Sequence, residues 1–439
     1  MYPLQPENVY VHETVAGNEL YMGRVNRVIA ALEKPVVPTV YADVDLPEMI
    51  SNGLMAKRGS MGTLDEIRDP SLLFNTFRFD DQASERIARL VEMGVTQTGS
   101  LTNLLGHQAF RWANYNQEGD PNRGHKVCRP CWRIHQQNGC VHRCHYCGLG
   151  GLLIAGVNVE EYCHWLGKLI EMHPWQLTYL LDDDGDPPGL EPELGCLGEL
   201  IEFFGTLENR YLIIHTKTWN TEWNTEWMRE LRHNGNTIIV WSVSGPNQSR
   251  FIEPRTGTTE ERIEAARIAQ EAGYQIRYKF KPIIPVKGWE EDAAFTAKLM
   301  FERTDPDVIS LCSFMWMDID DLKRRLPVEH LDPAFLAAAE EAKDTIGKVT
   351  TRPFPPIARQ RIYETHLREI RRWNEAVPVS LSTESFDMWK SLGDAMGFSA
   401  TDYPCGCGPF TVPGAPTLAC HPFRTATRMD NGRIPCVTG

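Results

Sequence analysis

From about residue 130 the chain alternates short, almost wholly apolar runs with longer segments in which apolar positions recur every three or four residues. The β-prone runs are Gln176 to Leu181 (QLTYLL), Tyr211 to His215, Thr237 to Val243, Gln275 to Ile284 and Asp307 to Cys312, with a further run, Trp132 to Gln136, ahead of them. Between them the helical patterns are Val159 to Met172, Leu197 to Phe204, Thr221 to Arg232, Thr259 to Ala272 and Trp289 to Arg303. Thr259 to Ala272 opens with an acidic first turn and stops at Gly273, as a capped amphipathic helix does. Strands that are apolar throughout, separated by helices, predict a parallel sheet covered by helices. The fold class expected is α/β, a partial parallel (β/α)6 barrel of the TIM type. Such a barrel, like an open doubly wound sheet, places active-site groups at the C-terminal ends of its strands.

The flanks read differently. Residues 1–125 mix helical patterns such as Ser84 to Glu92 with Pro- and Gly-punctuated loops, and are expected to form a mainly helical extension ending at the turn-rich stretch Asn114 to Gly124. The barrel is expected over 126–320. Residues 321–439 add helices such as Pro333 to Lys343 and then a Gly-, Pro- and Cys-rich cap that suits an auxiliary metal cluster.

Composition narrows the class. The 439 residues are 42% hydrophobic and 23% charged, a globular mixture, and no window approaches the ~20 apolar residues of a membrane span. With no apolar leader at Met1, a cytoplasmic protein without membrane partners is expected. Lys and Arg total 45 against 58 Asp and Glu, a net charge of −13, so a nucleic-acid partner is not expected unless a local basic groove supplies the attraction.

Twelve cysteines are clustered rather than scattered: five lie from Cys128 to Cys147 and four from Cys405 to Cys436. Clustered thiols in a reducing compartment point to metal or iron-sulfur ligation. Cys140-Val-His-Arg-Cys144-His-Tyr-Cys147 presents three thiols in one loop. Three thiolates hold three irons of a 4Fe-4S cube and leave the fourth open. Gly148 in place of His excludes covalent c-type haem attachment. A zinc-binding module without redox chemistry, built from Cys128-x2-Cys131 and Cys144-x2-Cys147, stays open as a rival, although it leaves Cys140 unused. Cys405, Cys407, Cys420 and Cys436 suit a second 4Fe-4S cluster or a structural zinc, with Cys128 and Cys131 as further candidates.

The three-then-two spacing, the aromatic Tyr146 before the last thiol and the barrel pattern downstream resemble radical S-adenosylmethionine (radical SAM) enzymes. His215-Thr-Lys217, Asn236 to Ser242, Glu260 to Arg267 and Lys281-Pro-Ile-Ile-Pro285 are similar to the spore photoproduct lyase branch. The resemblance implies that SAM chelates the open iron and is cleaved by one electron, from a donor such as flavodoxin or ferredoxin, to a 5′-deoxyadenosyl radical that abstracts hydrogen. It implies SAM contacts for Lys217 and Ser242, with Tyr146 beside the cofactor. Three departures set this chain apart: no thiol in Tyr179 to Asp186, Gly148 where the lyase has an aromatic, and Lys281 where an acidic residue is expected.

Asp182 and Asp183, in a run of carboxylates at a strand's end, and Arg277 and Lys281, alternating along one strand, are expected to face substrate. Cys312 is a candidate hydrogen-atom donor. The substrate expected from the charge balance is a small molecule or natural-product intermediate. Nucleic-acid lesion repair or RNA modification is the alternative within the same chemistry.

Overall fold

The computed structural model describes residues 1–55, 69–113, 126–219, 227–315, 317–346, 353–400 and 403–414. Its strands are β1 (Val9–His12), β2 (Thr39–Tyr41), β3 (Ser71–Asn75), β4 (Phe110–Ala113), β5 (Cys131–Ile134), β6 (Gln137–Asn138), β7 (Leu152–Gly156), β8 (Thr178–Leu181), β9 (Tyr211–Thr216), β10 (Thr237–Val243), β11 (Gln275–Ile283), β12 (Ile309–Ser313) and β13 (Val379–Leu381).

Two sheets organise them. The larger has the order β13-β12-β11-β10-β9-β8-β5-β4, parallel except for the antiparallel edge pair β4 and β5. It is open, a partial barrel. The six runs read as strands from the sequence are β5 and β8 to β12, and the helices Val159–Met172 and Trp289–Arg303 lie where their periodicity puts them. A seventh parallel strand, β13, was not anticipated: its three residues pair with β12 from beyond position 320, so the sheet draws on the chain expected to form the cap.

The second sheet, β2-β1-β3-β7-β6, joins residues on both sides of the expected boundary at 125. The N-terminal region does carry the helices Glu19–Ala30 and Ala83–Glu92. Its centre, however, is parallel β1 and β3, completed by β7 from the far side of the cysteine loop. Strands this short carry too little periodicity to stand out, and become legible only once a partner covers them.

The parallel strands bury both faces. Tyr179, Leu181, Leu212, Ile214, Ile239 and Trp241 pack outward into the main core under the helices. The inner face starts apolar, with Leu180, Ile213, Ile238 and Val240, and turns polar toward its other strands. Register sets this face: Arg133 pairs with Leu180, Val240 with both His215 and Arg277, Ser242 with Lys279, and Lys279 with Ser310. Neighbours in parallel register point to the same side. No helix of the described residues is long and apolar enough to cross a membrane.

Candidate active site

The three thiols sit in the loop between β6 and β7, and the loop is fastened at many points. Gly139 turns the chain into it at φ +110, and a Cβ there would lie 2.2 Å from the Leu152 carbonyl oxygen, so only glycine fits. His142 bridges two elements, with Nε2 3.0 Å from Asp186 and Nδ1 3.1 Å from the Arg255 carbonyl. Arg143 pairs with the buried Asp69 at 2.5 Å, and His145 N donates to the Ile252 carbonyl at 3.0 Å.

Cys140, Cys144 and Cys147 face one another closely enough that the charge of each neighbour opposes ionisation of Cys140. Burial is the larger cause, raising all three thiols and pushing Cys144 up to about 12. Backbone amides already point at the sulfurs: His142 N donates to Cys140 Sγ and Leu149 N to Cys147 Sγ, each at 3.4 Å. Buried thiols cradled by N–H donors suit thiolates whose charge a metal centre offsets.

Three described carboxylates act on these thiols, and each has partners of its own; Asp184, beside Cys147, pairs with Arg111 at 3.2 Å. Asp186, at the end of the acidic run, accepts from His142 Nε2, Thr216 Oγ1 (2.8 Å), Thr218 Oγ1 (3.0 Å) and Lys217 N (2.7 Å). Burial alone would raise it, yet His142 and these donors hold it below the usual carboxylate range. Glu253 accepts from Tyr146 Oη (2.9 Å), Lys217 Nζ (3.2 Å), Gln248 Nε2 (3.1 Å), Ser244 Oγ (3.0 Å) and Arg262 Nη2 (2.7 Å). Against burial, Lys217 and Arg262 bring it down to about 2. Neither Asp186 nor Glu253 has a lone pair to spare for a fourth iron, so the described residues fit a three-thiolate 4Fe-4S centre with one vacant corner.

Lys217 and Ser242, assigned to SAM by resemblance, are brought together at 2.9 Å, although they come from the ends of different strands. Lys217 Nζ also stands 5.9 Å from the centre of the Tyr146 ring. Glu253 ties these residues into one group, and sequence reasoning missed it. Its local pattern, an acid before Pro254, is that of any surface turn. The partner that gives it meaning lies 36 residues away.

The acidic run is divided by the fold. Asp182, expected to face substrate, is fully buried and accepts from the backbone of Gln136 and Gln137 (3.0 and 3.1 Å) with His135 Nδ1 at 3.0 Å. Burial raises its carboxyl. It clamps the turn after β5 and has no open face for substrate. Asp183 stays partly exposed at the strand end, paired with Arg111 (3.0 Å) and Arg133. His135, Asp183 and Asp184 bring their ligand atoms within 4.8 Å of one another, but the two carboxylates already answer to these arginines.

Arg277 is a second correction. Expected to face substrate, it is fully buried, forks onto Asp307 at 2.6 and 2.9 Å, and donates to the carbonyls of Gly406, Thr411 and Val412. A buried guanidinium takes the partners that come with burial, and here they are the C-terminal segment. Lys281 lies nearby, brought down to about 8 by burial and by Lys279. Cys312 is buried on β12 with Met315 Sδ at 3.6 Å and Thr383 Oγ1 at 3.8 Å.

Cys405 and Cys407 meet Cys128 and Cys131, whereas Cys420 and Cys436 lie outside the described residues. Cys144 and Cys147 belong to the Lys217 and Glu253 surroundings. The zinc site that would have joined them to Cys128 and Cys131 is therefore not assembled.

Known proteins resemble this chain in sequence over part of its length and in fold. Residues 130–311 match the family model described as spore photoproduct lyase. The spore photoproduct lyase of Bacillus subtilis (strain 168) is 28% identical over 174 residues, covering 38% of this chain and 48% of the relative. That of Clostridium acetobutylicum is 25% identical over 216 residues, covering 46% and 63%. The chain thus spans only about half to two thirds of the curated relatives' length. A solved spore photoproduct lyase mutant with bound AdoMet and dinucleoside spore photoproduct superposes with a TM-score of 0.58 at 15% identity, covering 88% of this chain and all of that one. The likeness to the spore photoproduct lyase branch of radical SAM proteins is thereby borne out for residues 130–311 and for the fold around them.

Proposed function

We propose that this chain is a radical SAM enzyme in which Cys140, Cys144 and Cys147 hold a 4Fe-4S cluster whose fourth iron takes S-adenosylmethionine. The observation that carries this reading is the commitment of the described carboxylates around the triad, Asp186 and Glu253 to full sets of donors and Asp184 to Arg111, which leaves the triad without a fourth donor among the described residues. When bound, the cluster and SAM supply one-electron cleavage of the sulfonium and a 5′-deoxyadenosyl radical that takes a hydrogen atom from substrate.

The chain's own residues do the rest. Lys217 uses two of its three N–H donors, on Ser242 and Glu253, and the third would be the donor for the SAM carboxylate. Ser242 donates to the Lys281 carbonyl at 3.0 Å and accepts from Lys217 Nζ, so that its hydroxyl would hold that lysine in place for the cofactor. Tyr146, pinned by Glu253, walls the site with its ring. Asp183 and Lys281 are the groups assigned to substrate, and Cys312 the hydrogen-atom donor; Asp182 and Arg277 act as positioning residues.

For the substrate, a small molecule or natural-product intermediate is supported by the charge of −13 and by the missing thiol in Tyr179 to Asp186. The match to spore photoproduct lyases favours a second reading, a nucleic-acid lesion. One experiment serves both. Anaerobically reconstituted protein, reduced with dithionite, should release 5′-deoxyadenosine from SAM, and Cys144→Ala should release none; release by that variant removes the assignment. Binding to oligonucleotides that weakens steeply with salt selects the second reading, and its absence the first.

A further inference from the structure

The second cysteine group lies where the C-terminal segment crosses the start of the inner sheet face. Residues 403–414 run over it without regular secondary structure, held by hydrogen bonds to strand ends. Pro409 O accepts from Leu177 N (2.8 Å) and Thr178 N (3.1 Å), Gly408 O from Thr178 Oγ1, and Asp307 Oδ2 from Gly414 N (2.9 Å). Arg277 gathers the carbonyls of Gly406, Thr411 and Val412. Gly406 is pressed against β12 so closely that a Cβ would lie 2.7 Å from Ser310 Oγ.

This seating fixes the thiols. Cys407 packs on Leu180, Ile213, Ile238 and Val240, and Lys279 Nζ donates to its Sγ at 3.7 Å. Cys131 lies on the same face, two residues before Arg133, as Thr178 lies two before its partner Leu180. Arg129, between Cys128 and Cys131, stacks 3.9 Å above the Tyr403 ring, and its Cδ approaches the Gly408 position from the side shared with Cys405 Sγ. Cys-x2-Cys from the entry to β5 and Cys-x-Cys from the tail thus converge from segments almost 300 residues apart.

We infer that Cys128, Cys131, Cys405 and Cys407 hold an auxiliary 4Fe-4S cluster that staples the C-terminal segment across the floor of the partial barrel. The charge balance suits it. Arg129, Arg133 and Lys279 act on these thiols, offsetting the negative charge that four thiolates bring. The spread of the sulfurs selects the metal: around one zinc, at ~2.3 Å per bond, sulfurs stand roughly 3.8 Å apart. Among the described residues no three of these thiols have sulfurs within 4.8 Å of one another, and the same holds for Cys140, Cys144 and Cys147. With four thiolates the cluster has no open iron, so its part is structural or electron-carrying, whatever substrate the enzyme takes.

The test uses the full chain, reconstituted anaerobically with iron and sulfide. Wild type should hold about eight irons, and Cys131→Ala or Cys407→Ala about four. Cys420→Ala and Cys436→Ala should leave the count unchanged. The triple variant Cys140→Ala, Cys144→Ala, Cys147→Ala should keep about four irons with a reduced-cluster electron paramagnetic resonance signal that added SAM does not alter. That last variant separates the two sites, because it carries no triad. Should it bind no iron, or zinc in place of iron, the inference is overturned, as it is if Cys420 or Cys436 proves necessary.

Discussion

Glu253→Gln should cost the protein about 3 kcal/mol and loosen the cysteine loop with it. The carboxylate is fully buried and receives five hydrogen bonds, two of them from the cations Lys217 and Arg262. Removing one partner of a buried pair leaves an uncompensated charge, typically at ~3–5 kcal/mol. Arg262 has other acceptors, the carbonyls of Gly257 and Ser242 and the hydroxyls of Ser249 and Thr256, which keeps the loss at the lower end. Lys217 retains only Ser242 among its bonds above. The depression of the carboxyl by the same contacts is of that size. Glu253 falls from its ordinary 4.5 to about 2, although burial pushes the other way, because Lys217 and Arg262 prevail. At 1.36 kcal/mol per decade this is about 3 kcal/mol. A depressed carboxyl contributes in full above pH 4.5, and the contribution is lost as pH falls toward 2. Urea unfolding at pH 7, followed by tryptophan fluorescence, measures the difference, and iron content reports the loop, since Tyr146 loses its charged acceptor. A variant within about 0.5 kcal/mol of wild type and with full iron would refute the reasoning, since the two cations would then be satisfied without Glu253.

Other outcomes follow from single contacts. Gly139→Ala should lower iron at the triad and destabilise by several kcal/mol, because the new Cβ meets the Leu152 carbonyl at a φ that favours glycine; unaltered iron in a folded variant would speak against the loop as the cluster's frame. Arg277→Met should expose 403–414 to limited proteolysis while 5′-deoxyadenosine formation persists; if proteolysis is unchanged and turnover is lost, Arg277 does face substrate. His366, buried against Phe280 and Trp289, is pushed down to about 4 by burial. Its neutral form is favoured in the fold, so stability is whole above pH 6.5, falls as pH drops from 6.5 toward 4, and levels off below. Between pH 7.5 and 5 this amounts to about 2 kcal/mol. His366→Phe should flatten that part of the unfolding curve; an unchanged slope contradicts it. Asp183→Ala should impair turnover more than stability, and equal turnover would leave the rim carboxylate a structural partner of Arg111 and Arg133.

Much of the barrel was legible because its signals are local. The apolar runs that became β8 to β12 and the helices between them carry their period within a dozen residues, and the triad announces itself by spacing in one loop. The N-terminal sheet and β13 escaped because strands of three to five residues acquire meaning only from the strand beside them.

The residues alone singled out the candidate groups: three closely spaced thiols, a lysine and a serine at strand ends, and a tail rich in cysteine. Tertiary structure decided which partners each group meets. It turned Asp182 into a buried clamp and Arg277 into an anchor, joined Glu253 to Lys217, and set Cys405 and Cys407, beside each other, near Cys128 and Cys131. The reason is electrostatic and geometric. Whether a charged or thiol side chain meets water, a partner or a metal depends on burial and on neighbours far away in sequence, and only the packed sheet brings those neighbours within reach.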